Sequence, residues 1–266
     1  MAGPFSTGSM MGVALLHKCN FNCPHCGYVY VGESDDHIVK PGYCESWDQI
    51  KECIADCKSI KDTNWTMLFT GGEPTLWKEG DLNFIDLLLE VEKSGIFPSF
   101  NTNGSYFDDI NKTRSFMNKY TDAAKLLLQI FISIDDFHDN FDRANGRSLC
   151  LENVVKIIDE MPSEKKKLFE IHVITITTND PNSTLPEKMK EHYRQYGIKF
   201  ADFPMMPIGK AKELVELLPE SPGIKSAPPR PGTENEKNFS AVLMGDGYYK
   251  NNVRVADLGH LSKMYD

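Results

Sequence analysis

The stretch "CNFNCPHC", residues 19–26, sets three cysteines in eight residues at C-x3-C-x2-C spacing, and no fourth follows at metal-site distance. Thiolates are soft metal ligands. A structural zinc site closes with four ligands, usually as two paired halves. Here Cys44 is the nearest further thiol and His25 is a possible extra donor, but no second CxxC exists. With seven cysteines in 266 residues, chance supplies such a triplet on the order of 0.005 times per chain. Iron–sulfur clusters are the other thiolate-held group, normally with four thiolates for a [4Fe–4S] cluster. Three thiolates leave one iron open, and a molecule with adjacent amine and carboxylate groups could chelate it.

Cys19 ends the first of six apolar runs that read as strands: 13–19, 65–74, 97–105, 126–137, 169–179 and 198–207. β-Branched and aromatic content with Gly, Asn and Pro borders supports that reading. Helical patterns lie between them at 46–60, 81–95, 111–120, 151–161 and 184–197. Ser46 and Asp81 read as N-caps and Gly95 as a helix exit. Strands alternating with helices predict βαβ units on a parallel sheet. Six strands fall short of the eight of a closed barrel, so the expected fold is α/β, a partial (β/α)6 TIM barrel. Ligands of parallel α/β sheets collect outside the carboxyl ends of the strands, which is where the cysteines fall.

After residue 209 the alternation stops. The division expected is a disordered leader over 1–11, the barrel over 12–218, and a Pro-rich linker with a short C-terminal β-hairpin extension over 219–266. The hairpin is expected to turn near Gly245–Gly247. A net charge of −9 argues against a large nucleic-acid footprint. No apolar run approaches the length of a membrane span. An odd cysteine count with three clustered thiols reads as a reducing, cytoplasmic compartment rather than a disulfide framework.

The cysteine spacing, on the loop after the first strand, resembles the signature of radical S-adenosylmethionine (radical SAM) enzymes. The resemblance implies a [4Fe–4S] cluster on Cys19, Cys23 and Cys26, with S-adenosylmethionine (SAM) chelating the open iron. It further implies reductive cleavage of SAM to a 5′-deoxyadenosyl radical that removes hydrogen from a substrate. His25 stands where the family commonly has an aromatic residue near the adenine. "GGEPTLW" (71–77) resembles the motif that holds the SAM amino group, with Gly71 and Gly72 admitting close backbone approach and Glu73 supplying charge. Asn103, in "SFNTNG", is placed to hydrogen-bond SAM or substrate. "SIDDFHDNFDRANGR" (133–147) resembles segments in which Ser133 and Asp135 meet the ribose or carboxylate and Arg143 pairs with the carboxylate. "MMPIGKAKE" (205–213) resembles a stretch whose backbone, at Met206, faces the adenine.

Of the other cysteines, Cys53 and Cys57 read as core, Cys150 as a helix start, and Cys44 as a candidate hydrogen-atom donor. The tail "GDGYYKNNVRVADLGHL" resembles the SPASM extension of peptide-modifying members, without that extension's cysteines. The main reading is therefore an enzyme acting on a peptide or protein side chain, served by a flavodoxin or ferredoxin. Alternatives are an activase for a glycyl-radical enzyme, an enzyme acting on a small metabolite or nucleoside, and a zinc-stabilised binding module.

Overall fold

A computed structural model of the chain describes residues 9–26, 44–60, 63–138, 140–205, 210–211, 214–217, 240–244, 247–250 and 253–257. Met206, the Pro-rich stretch 219–237 and the tail residues after 257 lie outside them. The six expected strands are present as β1 (Ser9–Leu16), β2 (Trp65–Gly71), β3 (Phe97–Thr102), β4 (Leu128–Ser133), β5 (Phe169–Thr177) and β6 (Lys199–Pro204). They pair in chain order, all parallel. Between them run α1 (Trp47–Ser59), α2 (Phe84–Lys93), α3 (Ile110–Ala123), α4 (Leu149–Glu160) and α5 (Glu187–Arg194). β1 begins at Ser9, within the stretch expected as leader.

Local chemistry sets the helix starts. Ser46 and Gln49 form a reciprocal capping box on α1, as its sequence suggests. For α2 the cap is Asn83, paired with Asp86, and not the expected Asp81. The chain first makes a two-residue ribbon, Lys78–Glu79 against Leu82–Asn83, which turns at Gly80 and delays the helix. Gly95 does end α2, in the left-handed region at φ 82°.

One sheet face buries Met11, Val13, Leu15, Met67, Phe69, Phe100, Ile130, Ile132, Ile171 and Val173 in a single apolar core with residues of the helices. Alternation along a strand puts the neighbours of these residues on the opposite face. One layer of that face runs in register through Ala14 and Thr70, then Asn101, Phe131, His172 and Lys199. An Asn101-to-Thr70 hydrogen bond of 3.4 Å joins its two halves.

The sheet is not closed. The C-terminal hairpin is present as β7 (Ser240–Met244) and β8 (Gly247–Lys250), and it gains a third strand, β9 (Val253–Asp257). β7 pairs parallel with β1, placing Leu243 opposite Val13 with no exposed surface. β8 and β9 continue antiparallel, giving nine strands in the order β9-β8-β7-β1-β2-β3-β4-β5-β6. The extension therefore completes the β1 edge of the sheet. Among the described residues no helix is long and apolar enough to cross a membrane.

Candidate active site

β1 delivers the cysteine loop to the carboxyl end of the sheet. Cys19, Cys23 and Cys26 are free thiols, exposed or part-buried, and the Cys26 N–H closes a turn onto Cys23 O at 3.3 Å. The Cys19 sulfur accepts hydrogen bonds from the Phe21 N–H (3.4 Å) and the Asn103 side-chain amide (3.7 Å). N–H groups directed at sulfur are what a metal-bound thiolate requires. A three-thiolate donor set with such donors therefore fits the iron–sulfur cluster implied by the spacing. The loop is tied at its far end as well: the Lys210 N–H meets Cys26 O at 3.0 Å, and the Lys210 ammonium meets Asn22 Oδ1.

Gly71 and Gly72 face the loop's own backbone. The Gly72 N–H donates to Leu16 O (2.6 Å) and the Glu73 N–H to Lys18 O (2.9 Å). A Cβ on Gly72 would lie 2.2 Å from Lys18 O, and Gly71 has φ 112°. Only glycine permits that approach.

Glu73 is almost fully buried. Its Oε1 accepts from Thr75 N–H (3.2 Å), Thr75 hydroxyl (2.7 Å) and Thr102 hydroxyl (2.9 Å), and its Oε2 from Asn103 N–H (2.8 Å). Burial raises its carboxyl above the ordinary range, while these donors pull it back. Four of its acceptor sites are thus used in joining the end of β2 to the end of β3. Glu73 is a buttress behind Asn103, which in turn holds Cys19 and, at 3.0 Å, Asn20.

Beyond β4, Asp135 is fully buried and organises the loop. Its Oδ1 accepts from the N–H groups of Phe137 (2.9 Å) and His138 (3.0 Å) and from His138 Nδ1 (2.9 Å). Its Oδ2 accepts from Ile176 N–H on β5 at 3.3 Å. Burial works against charge on this pair, but their mutual hydrogen bond outweighs it. Asp135 is held below the usual carboxylate range, and His138, raised by Cys23 as well, is pushed up to about 10. His25 packs its ring on Phe137 (4.7 Å) and edge-on to His138 (5.2 Å). Burial and the His138 charge push it down to about 4 against the pull of Asp135.

Asn140 spans the strand ends, donating to Asn103 O (2.8 Å) and Ser133 O (2.6 Å). His138 and Asn140 carry contacts that sequence reasoning passed over, although both stand in the segment quoted for Ser133 and Asp135. Their signal was position alone, three and five residues after Asp135.

The other expected residues make the following contacts. Arg143 is engaged by Asp136 through Nε (2.8 Å) and Nη2 (2.9 Å) and donates to Thr184 O at 3.3 Å. It lines an open cavity of ≈ 650 Å³ with Arg147, Glu152, His192 and Tyr193. Cys44 is exposed and bridges antiparallel to Leu16, three residues before Cys19. Its thiol is raised by burial and by Glu79 and Glu45. Cys53 and Cys57 are core. Cys150 is the second residue of α4, whose N-cap position is Ser148, and its sulfur packs where a Gly104 side chain would be.

The Radical SAM superfamily model matches residues 13–185, more than half of the chain. Among solved structures, native anSMEcpe with bound AdoMet aligns at 18% identity and TM-score 0.48, over 74% of this chain and 51% of that one. The same protein with AdoMet and the Cp18Cys peptide aligns at 18% identity and TM-score 0.46, over 73% and 50%. Coproporphyrinogen III oxidase (HemN) from Escherichia coli, itself a radical SAM enzyme, aligns at 12% identity and TM-score 0.41, over 81% and 49%. The chain thus spans about half the length of these structures. A search of curated proteins finds no match. The chain belongs to the radical SAM superfamily, whose enzymes use a [4Fe–4S] cluster and S-adenosylmethionine.

Proposed function

We propose that this chain is a radical SAM enzyme acting on a peptide or protein side chain, with the cluster held by Cys19, Cys23 and Cys26. When bound and reduced, the cluster supplies the electron that splits SAM and so starts hydrogen abstraction. The chain's own part is positional. The glycine turn at Gly71 and Gly72 sets the loop against β2, Glu73 fixes Asn103, and Asn103 holds Cys19 and Asn20.

The observation that carries the substrate reading is the unclosed sheet, whose inner face presents Asn101, Phe131, His172 and Lys199 in one layer below the cysteine loop. Phe131 and His172 stack at 4.6 Å, and Glu170 accepts from His172 (2.6 Å) and Lys199 (2.5 Å). Such a face offers an apolar ring and paired charges to one side chain. Among the described residues the edge strands β9 and β6 do not pair with each other, and a large substrate would approach between them. A low-potential flavodoxin or ferredoxin is the proposed electron source.

The test is anaerobic reconstitution. We expect about four irons per chain, 5′-deoxyadenosine on adding SAM and reductant, and loss of both in Cys19→Ala, Cys23→Ala and Cys26→Ala. Cys53→Ala and Cys150→Ala should keep the iron. Deuterium passing from labelled peptide into 5′-deoxyadenosine supports the peptide reading; transfer only from small metabolites or nucleosides rejects it. A colourless protein loaded with zinc rejects the enzyme reading altogether.

A further inference from the structure

The cavity of ≈ 650 Å³ beside α5 has no lining residue from the cysteine loop. One wall is the turn from Asp142 to Arg147, closed by mutual backbone hydrogen bonds of 2.8 and 3.1 Å. The other is α5 with its N-cap Pro186, which carries Lys188, His192 and Tyr193. The volume suits a small molecule. Three permanent cations, Arg143, Arg147 and Lys188, line it with one carboxylate, Glu152. Glu152 engages Arg147 Nε (2.6 Å) and Nη2 (2.9 Å), which leaves the Nη1 end of that fork. Arg143 is paired with Asp136. Lys188 has no counter-charge among the described residues. The cavity is thus cationic in a chain of net charge −9. Tyr193 adds an independent sign. It is only 3% exposed, with its ring in the apolar core, and it lines the cavity. Its hydroxyl has no hydrogen-bond partner among the described residues, whereas a buried hydroxyl ordinarily has one. No side chain caps the first N–H groups of α5, so the positive end of that helix opens here as well.

We propose that this cavity is a binding site for a small phosphate-bearing molecule, separate from the SAM site, with Lys188, Arg147 and the Tyr193 hydroxyl donating to the phosphate. Water would satisfy the hydroxyl but not the excess of cations; an oxyanion satisfies both. The donors come from two walls and a helix end. The three terminal oxygens of a phosphate accept from all of them, whereas a carboxylate has two. The inference stands apart from how the cluster is held and from what the enzyme acts on.

The test is titration calorimetry on the reconstituted full-length chain with two probes, inorganic phosphate and adenosine monophosphate. Adenosine and succinate are the controls. We expect both phosphates to bind, adenosine not to bind, and succinate to bind more weakly than inorganic phosphate. Tyr193→Phe removes the hydroxyl and keeps the ring, and Lys188→Gln removes one exposed charge, so both variants keep the core. Each should weaken phosphate binding by roughly tenfold or more, as loss of one hydrogen bond to a charged group implies. Lys167→Gln, which alters an exposed cation that does not line the cavity, should leave the affinity unchanged. Failure of both phosphates to bind at millimolar concentration overturns the proposal, as does an unchanged affinity in Tyr193→Phe or in Lys188→Gln. Succinate binding as tightly as phosphate overturns the phosphate assignment. Loss of phosphate binding on adding SAM overturns the separate site and gives the cavity to SAM.

Discussion

Replacing Gly72 with alanine probes how tightly the β2 turn is built into the cysteine loop. The new Cβ would lie 2.2 Å from the Lys18 carbonyl oxygen and 2.7 Å from that of His17. Ordinary carbon–oxygen contacts begin at about 3.3 Å, so one backbone segment must shift by roughly 1 Å. Both obstacles are main-chain atoms, so no rotamer change relieves them. The shift strains the bonds from Gly72 N–H to Leu16 O and from Glu73 N–H to Lys18 O. Overpacking costs about 1–3 kcal/mol and each lost hydrogen bond about 0.5–1.5 kcal/mol, together about 2–6 kcal/mol. At about 2–4 °C per kcal/mol for a domain of this size, Tm should fall by roughly 4–24 °C. Thermal unfolding and iron content after anaerobic reconstitution are the two assays, and both should drop. Gly80→Ala is the control. Nothing lies within 4 Å of its added Cβ, and its φ is 57°, so only the left-handed backbone cost of about 1–2 kcal/mol applies and iron should be retained. A Gly72→Ala protein with wild-type Tm and full iron would refute the claim that this contact positions the loop.

Glu73→Ala leaves the buried N–H of Asn103 without its acceptor and removes the partner of Thr75 and Thr102, costing about 1–3 kcal/mol for each donor left unsatisfied. Urea unfolding should show the loss, and iron should leave faster to a chelator because Asn103 no longer holds Cys19. Leu243→Ala, at a site with no exposed surface, should cost about 2–5 kcal/mol in thermal or urea unfolding while leaving iron content intact. Deleting residues 238–266 uncovers the edge of β1, and the truncated chain should self-associate, as light scattering would show. A monodisperse truncation would deny β7 its role in covering that edge.

The strands were legible from the sequence because short β-branched and aromatic runs bounded by Gly and Asn satisfy a local rule. Their ends were not. The first four runs read to residues 19, 74, 105 and 137, whereas the strands stop at Leu16, Gly71, Thr102 and Ser133. Those three or four surplus residues in each case form the strand-end site. Hydrogen bonds to the Glu73 and Asp135 carboxylates and from the Asn103 amide draw the chain out of the ladder there, and residue type alone does not mark where pairing stops. The tail shows the same limit: a hairpin was readable, but its pairing with β1, more than 220 residues earlier, was not.

By itself the sequence determined the donor set and its chemistry: three thiolates on one loop, two glycines that admit backbone, and a parallel α/β order that brings them to the strand ends. These are properties of residue type and short spacing, which no folding partner alters. The tertiary structure decided what each polar side chain does. The charge of Glu73 was legible, but the donation to it from Thr102 and Asn103, about 30 residues on, was not. The guanidinium of Arg143 was legible as a partner for a carboxylate, but its pairing with Asp136 was not. His138 carries no signal in its own neighbourhood, and gains its place because the loop after β4 packs beside His25, more than 100 residues earlier. A side chain's donors and acceptors are set by its chemistry, but which of them remain free depends on the groups that folding brings opposite.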